Sequence, residues 1–298
     1  MTLARLSRSR ITRRIAILAA SLTLATAACA TIGVSQAVAA PAPPPPVACT
    51  GGPCWHPALK TSWNWVLSAV PAAPYRAVQM YDVDGFDNSA ANVTALHAAG
   101  IKVVCYLSAG TYENWRPDAG QFPAALLGKN NGWPGEKWLD IRDVQKPNST
   151  LRSIMDARLD MCRTKGFDMV ELDNVDGYLN STNFPLNAAD QLYFNAVLAN
   201  DSHARGLSVL QKNDNEQIPQ LLAYFDGALN EQCNQYNECT TAQNGSFGLD
   251  QYVAAGKPVF NAEYKLATSK FCSKDNAANF NGVKFSLNLD DKTFQPCR

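Results

Sequence analysis

From Pro74 onward, short runs of β-branched and aromatic residues alternate with stretches of helical periodicity, the pattern of parallel strands joined by crossover helices. Residues 77–83 predict a first strand and 89–99 a helix, with Val93 and Leu96 three apart and Gly100 in the stop position. The second strand is 102–108. A third, short one is predicted at 137–141, after a long connection carrying Trp115, Pro117, Pro123 and Trp133. A helix over 149–165 closes at Gly166, and 167–173 is the fourth strand. A helix over 188–205 stops at Gly206 and leads to the fifth strand, 207–212, with the sixth, seventh and eighth at 225–231, 258–263 and 283–289. Trp63 and Trp65 precede the first strand and read as core or rim packing. Eight strands, mostly separated by helices, over about 250 residues predict an α/β fold, a single-domain (β/α)8 TIM barrel. An open doubly wound sheet is the main alternative, but no G-x-G-x-x-G or G-x-x-x-x-G-K-[ST] follows any strand.

The polar residues of this pattern fall at strand ends: Asp82 and Asp84, Ser108, Asp140, Asp173 and Asn174, Lys212 and Asn213, Asn230 and Glu231, Glu263, Asn288 and Asp290. All strands of a barrel end at one face, where barrel active sites are built. The predicted mouth is rich in carboxyls and poor in histidine, with Tyr106, Trp115, Trp138, Tyr178, Tyr236 and Tyr264 close by in sequence. Glycosidic bond cleavage needs that inventory: one carboxyl protonates the leaving oxygen and a second attacks or activates water. A serine or cysteine protease does not fit, because no histidine stands at a strand end and G-x-S-x-G is absent. An Asp after a strand also serves as an N-cap for the next helix, so the run of acids carries more weight than any one of them.

The N-terminus changes the picture of where the chain works. An Arg-rich start runs into the uncharged residues 15–40, ending in Ala37-Val38-Ala39 before Ala40-Pro41. That is the layout of a secretory signal peptide, residues 1–40, with a small-residue cleavage site. A weak twin-Arg signal at Arg13-Arg14, a poor lipobox ending at Cys29 and an uncleaved span are the competing readings. Residues 41–60 form a Pro-rich spacer, expected to be mobile, and 61–298 the barrel. Without Cys29, eight cysteines remain, an even number that suggests disulfides in an oxidising compartment. Cys233 is expected to pair with Cys239, Cys272 with Cys297 and, more weakly, Cys49 with Cys54. Cys105 and Cys162 read equally as buried thiols or a bridge. His56, His97 and His203 sit apart, with no HExxH or CxxC, so no metal site or other cofactor is expected.

Formal charge is zero, but the first forty residues hold five Arg and no acid. The other 258 carry 26 acids against 21 bases, about −5, which argues against a nucleic-acid partner. The reading is a secreted protein, expected to be monomeric, acting on polysaccharide and free of the membrane once cleaved.

Four segments carry a family resemblance: YDVDGFDNSAANVTALHAAGIKVVCYLSAGTYENWRPDA (81–119), WPGEKWLDIR (133–142), KGFDMVELDNVDGY (165–178) and NEQCNQYNEC (230–239). In this order they resemble the endo-α-1,4-polygalactosaminidases, glycoside hydrolase family 114, over residues 63–290. The resemblance implies a (β/α)8 barrel, no metal, and retaining endo-cleavage of α-linked galactosamine polymers. It puts the catalytic pair on Asp173, in the DN-VDG motif, and Glu231, in the NEQC motif; of the two, Asp173 is expected to act as nucleophile and Glu231 as general acid, then base. Leu172, Phe167 and Leu107 stand where the family pattern has Pro, Cys and Phe, changes that remove no functional group.

Around that pair, Asp84, Tyr106, Asp140, Asn174, Lys212, Asn230 and Glu263 are the expected substrate-binding residues. Lys212 reads either as the neutraliser of a buried carboxylate or as the group that tunes Asp173 or Glu231, and Glu171 shares the strand parity of Asp173. Arg116 and Arg142 read as loop braces paired with carboxylates. Asp84, Asp140, Glu171, Glu263 and Asp290 are expected to attract the ammonium groups of a cationic sugar. A barrel acting on another α-glycan, or a polysaccharide-binding barrel without activity, are the rival readings.

Overall fold

The computed structural model describes residues 40–52 and 54–298, which form one compact unit; apart from Ala40, the expected signal peptide lies outside the described residues. Twelve strands are present among these residues. They are β1 (Trp63–Val66), β2 (Met80–Asp84), β3 (Lys102–Ser108), β4 (Thr111–Glu113), β5 (Leu127–Asn130), β6 (Glu136–Leu139), β7 (Met169–Asp173), β8 (Ser208–Lys212), β9 (Gly227–Glu231), β10 (Val259–Glu263), β11 (Asn281–Phe285) and β12 (Phe294–Pro296). The main sheet runs β1-β2-β3-β7-β8-β9-β10-β11, parallel throughout, with β12 antiparallel on β11. Its two ends meet: Trp63 Nε1 donates to Asn281 O at 2.8 Å, Leu67 N donates to Leu289 O at 2.9 Å, and the Trp63 and Phe285 rings lie 5.2 Å apart. The chain is thus a (β/α)8 barrel.

Strand alternation divides the apolar residues into two cores. Trp63, Trp65, Met80, Val104, Met169, Leu210, Leu229, Phe260, Ala262, Val283 and Phe285 pack together inside the barrel. Val83, Val103, Cys105, Leu107, Val170, Leu172, Val209 and Val259 face outward into the larger core shared with the helices. The three long helices are α1 (Ala90–Ala98), α2 (Thr150–Lys165) and α3 (Ala188–Ala204). Each starts at a side-chain cap, Ser89, Ser149 or Asn187, that satisfies amides the helix leaves open.

Two strand assignments differ from expectation, and they offset each other in the count of eight. The predicted third strand is β6, which belongs to a separate antiparallel sheet β4-β6-β5, while β3 pairs directly with β7. The first barrel strand is instead Trp63-Asn64-Trp65-Val66, buried at every position. A strand buried on both faces has no polar–apolar alternation to announce it, although its tryptophans are core packing as expected.

The Pro-rich segment, expected to be mobile, lies against the barrel. Tyr224 OH donates to Pro44 O at 2.6 Å, Asn200 Nδ2 donates to Pro45 O at 2.9 Å, and Val47 N donates back to Asn200 Oδ1 at 2.9 Å. A run of prolines offers its carbonyls freely because it makes no internal hydrogen bonds, and side chains of α3 and its surroundings take them up. Four disulfides are formed: Cys49–Cys54, Cys105–Cys162, Cys233–Cys239 and Cys272–Cys297. The pair left open between thiols and a bridge is a bridge, joining β3 to α2 behind the barrel wall. These bonds are consistent with folding in an oxidising compartment.

Candidate active site

The alternation that points Trp65, Met80, Val104 and Met169 inward also points Asp82, Tyr106, Glu171, Asp173, Lys212 and Glu231 inward, above the apolar floor. The C-terminal ends of β7, β8 and β9 thus bring Asp173, Lys212 and Glu231 together. Lys212 Nζ lies 2.7 Å from Asp173 Oδ1, 3.3 Å from Glu231 Oε2 and 3.1 Å from Glu171 Oε1. The lysine is 2% exposed, and its ammonium sits 4.8 Å above the Trp65 ring.

Each of the two mouth carboxyls has its own phenol. Tyr106 OH donates to Asp173 Oδ2 at 2.8 Å, and Tyr264 OH donates to Glu231 Oε1. Asn213 Nδ2 donates to Glu231 Oε2 at 3.2 Å. Asn230 Nδ2 in turn donates to Asn213 Oδ1 at 3.2 Å and Asn215 Oδ1 at 3.1 Å, so Asn230 braces the residue that holds Glu231. Asn174 Nδ2 donates to Ser108 Oγ at 2.9 Å and reaches Asp173 Oδ2 at 3.4 Å.

The backbone turns sharply just beyond these strand ends. Asn174, Asn213 and Gln232 follow Asp173, Lys212 and Glu231 and adopt φ of 60°, 47° and 62°. Left-handed non-glycine residues are uncommon and concentrate at functional sites. Gly110 completes the mouth: a Cβ there would meet Asn174 O at 1.7 Å, so only glycine lets the chain after β3 pass over the end of β7.

The Lys212 ammonium is the cation that Glu171, Asp173 and Glu231 share. Burial alone would raise Asp173; the Lys212 charge and the hydrogen bonds from Lys212 and Tyr106 outweigh it and hold the carboxyl below its ordinary value. Burial opposes the Lys212 charge, but Asp173, Glu231 and Glu171 together raise it well above the usual lysine range. Burial also lifts Tyr106 and Tyr264, so both remain donors.

Several expected contacts lie elsewhere. Asp84 is locked by Arg116, which donates Nη1 to Oδ1 at 2.9 Å and Nη2 to Oδ2 at 2.6 Å while also gripping Glu113. Asp140 is not at a barrel strand end. It caps a 3₁₀ turn, Ile141–Gln145, and both of its oxygens are taken at 2.7 Å by Arg142. Glu263 points to the outer side of the sheet, opposite in parity to Phe260 and Ala262, where it accepts from Asn234 N at 2.9 Å and burial lifts it to about 7. Asp290 is held by Lys292 and Ser286, each at 2.7 Å. With Glu171 buried under Lys212, the expected ring of free acids for a cationic sugar is therefore not what the mouth presents.

Three residues that the expected set leaves out matter here. Tyr264 holds Glu231 from just beyond β10. Asp82, named among the strand-end acids but not carried into the expected site, lies beneath the pair. Glu136, on β6, accepts from Thr111 Oγ1 and from Asn174 Nδ2 at 3.4 Å, and burial raises it; its position in a side sheet hid it.

A parallel barrel whose mouth joins two carboxyls through a buried ammonium is the architecture of a glycoside hydrolase. The model of glycoside-hydrolase family GH114 matches residues 46–298, and the chain belongs to that family. It is similar to Aspergillus fumigatus Ega3, whose crystal structure in complex with galactosamine superposes with a TM-score of 0.72 at 37% identity, over 82% of this chain and 97% of that one. The glycoside hydrolase domain of Pseudomonas aeruginosa PelA shares the fold, with a TM-score of 0.57 at 17% identity over 78% of this chain and 97% of that one. An uncharacterized protein of Deinococcus radiodurans is 32% identical over 219 residues, 66% of this chain and 68% of its own length.

Proposed function

We propose that this protein is a secreted endo-hydrolase of α-1,4-linked galactosamine polymers that works by double displacement, with Asp173 as nucleophile and Glu231 as general acid and then base. The observation that carries the reading is the single ammonium shared by the two carboxyls. Oxygens at 2.7 and 3.3 Å from one nitrogen favour the short carboxyl separation of retaining enzymes, about 5 to 5.5 Å, over the roughly 6.5 to 9.5 Å that an inverting enzyme keeps for a water. The Ega3 complex with galactosamine supports the sugar.

In the first step the Asp173 carboxylate forms a bond to the anomeric carbon. The glycosidic bond breaks, and the departing oxygen takes the Glu231 proton. Asp173 thereby loses its charge and Glu231 gains one, so Lys212 exchanges its stronger partner without moving far. In the second step Glu231 takes a proton from water, whose oxygen displaces Asp173 from the sugar and restores both groups. Tyr106 and Tyr264 hold the two carboxyls in place throughout.

The test is incubation of the mature protein with defined galactosamine and N-acetylgalactosamine oligomers, read by mass spectrometry. Internal cleavage of the galactosamine series is expected. Cleavage of a different α-glycan alone would overturn the substrate, and binding without cleavage of any glycan would favour a polysaccharide-binding barrel. N-terminal sequencing of secreted material should begin near Ala40 or Pro41.

A further inference from the structure

Beneath Asp173 and Glu231 lies a second pair of carboxyls that the double displacement does not use. Asp82 on β2 and Glu171 on β7 come from alternate strands, which is how one layer of a barrel interior is built. Both are fully buried. Asp82 accepts no hydrogen bond from any donor of the described residues, and for Glu171 the one donor in reach is the Lys212 ammonium, 3.1 Å from Oε1. The two carboxyls lie within hydrogen-bonding reach of each other. Two carboxylates are both acceptors, so a bond between them exists only when one carries a proton.

We propose that Asp82 and Glu171 form a proton-sharing carboxyl pair that positions the Lys212 ammonium against Asp173 and Glu231 and so sets the pH window of turnover. The proposal rests on the hydrolase reading above. The groups facing the pair leave little else to balance it. Tyr106 from β3 and Tyr264 beyond β10 are neutral donors already bound to Asp173 and Glu231. β1 offers the Trp65 ring and β11 offers Val283 and Phe285, while Arg116, which pairs with Asp84 on the strand that carries Asp82, is taken by Asp84 and Glu113. One ammonium therefore faces four carboxyls, Asp82, Glu171, Asp173 and Glu231. Buried like charges in contact do not both ionise, so one proton stays in the lower pair. Burial is the main cause that lifts Asp82 well above the carboxylate range and Glu171 to about 7, in keeping with that arrangement.

With one proton the pair bears a single negative charge, which draws part of the Lys212 field away from the mouth. Glu171→Gln takes the negative charge out of the pair. Asp82 is fully buried with no ion pair among the described residues, so burial, the largest cause raising it, keeps its proton even without the Glu171 charge, and the pair becomes neutral. The ammonium then acts undivided on Asp173 and Glu231 and favours their ionised forms. Both limbs of the kcat/KM profile should move to lower pH by about one unit. Asp82→Asn instead leaves Glu171 ionised against Lys212, preserves the charge, and should leave both limbs in place. Equal shifts in the two variants, or no shift in Glu171→Gln, would overturn the proposal; a purely structural role would change rate or stability without moving the limbs.

A second measurement needs no substrate. Infrared titration of the free enzyme should show, at neutral pH, a protonated-carboxyl band that persists in Glu231→Gln and is lost in Asp82→Asn, which separates it from other buried acids such as Glu263. Its absence from Glu231→Gln, or its persistence in Asp82→Asn, would overturn the proton-sharing pair. A wild-type protein that keeps this band and cleaves no galactosamine polymer would overturn the hydrolase reading alone.

Discussion

Replacing Lys212 with methionine keeps most of the apolar stem and removes the charge on which the site converges. Three carboxyls stand 2.7, 3.1 and 3.3 Å from that ammonium, and the side chain is 2% exposed. Removing one partner of a buried ion pair costs about 3–5 kcal/mol, because the other is left without compensation. Asp173 and Glu231 sit at the mouth, 18% and 29% exposed, so water and proton uptake relieve part of this, and a loss of about 3 kcal/mol at pH 7 is expected. For a domain of this size that is a fall in Tm of roughly 6–12 °C.

The pH dependence has a definite sign. Burial pushes Asp173 up but Lys212 holds it below its unfolded value. The resulting stabilisation is present above the unfolded carboxylate pKa, about 3.9, and is lost as pH falls through the folded value. Wild type and Lys212→Met should therefore differ most near neutrality and converge below about pH 3 to 4. Turnover should fall by at least about 10² to 10³, the scale of deleting one preorganised electrostatic group. Calorimetric melts from pH 3 to 8, with turnover at pH 6 to 7, test this. A variant as stable as wild type at pH 7, or a gap that does not narrow in acid, would refute the role given to Lys212.

Three further outcomes are expected. Replacing both Cys105 and Cys162 with alanine opens a link across 57 residues, so denaturant unfolding should show a loss of about 4 kcal/mol, and non-reducing peptide mapping of wild type should recover that pair. His203 spans two acceptors, Val47 O at 2.6 Å and Asp226 Oδ2 at 2.9 Å, so both ring nitrogens donate. Burial opposes the charge, but Asp226 and Val47 outweigh it and raise the folded pKa. The latch is therefore full below the unfolded value, about 6.5, and is lost as pH rises through the folded one. The protection factor of the Val47 amide, which corrects for the intrinsic rise of exchange with pH, should fall over that range in wild type and stay level in His203→Gln. Because Asp84, Asp140 and Asp290 are paired with Arg116, Arg142 and Lys292, KM for deacetylated polymer should change less than about twofold between 50 and 300 mM salt; a steep rise would show that free carboxylates at the mouth recruit the substrate.

The barrel was legible because its strands end in polar residues and its helices end in Gly100, Gly166 and Gly206, signals that need only local sequence. The same signal brought up Asp173 and Glu231 among the strand-end acids but did not rank them above Asp84, Asp140 or Glu263; the family resemblance singled them out. What escaped depended on pairing across the chain. Nothing near Asp84 shows that Arg116, thirty-two residues later, occupies both of its oxygens. Glu263 ends an apolar strand as an active-site acid would, but Phe260 and Ala262 hold the inner face and parity sends Glu263 outward. Trp63-Asn64-Trp65-Val66 has no alternation to read, since barrel interior and outer wall bury both of its faces. The Pro-rich segment has no internal partners, and its docking on Asn200, His203 and Tyr224 is a property of the folded surface.

The shared ammonium between Asp173 and Glu231 is tested most directly by the stereochemistry of the first product. Proton NMR can follow the anomeric signal as a defined α-1,4-galactosamine oligomer is cleaved, before mutarotation sets in. A retaining double displacement predicts that the new reducing end appears first as the α anomer, with Asp173→Asn folded and releasing no detectable product. A β anomer appearing first, or near-normal cleavage by Asp173→Asn, would contradict the assignment of Asp173 as the nucleophile.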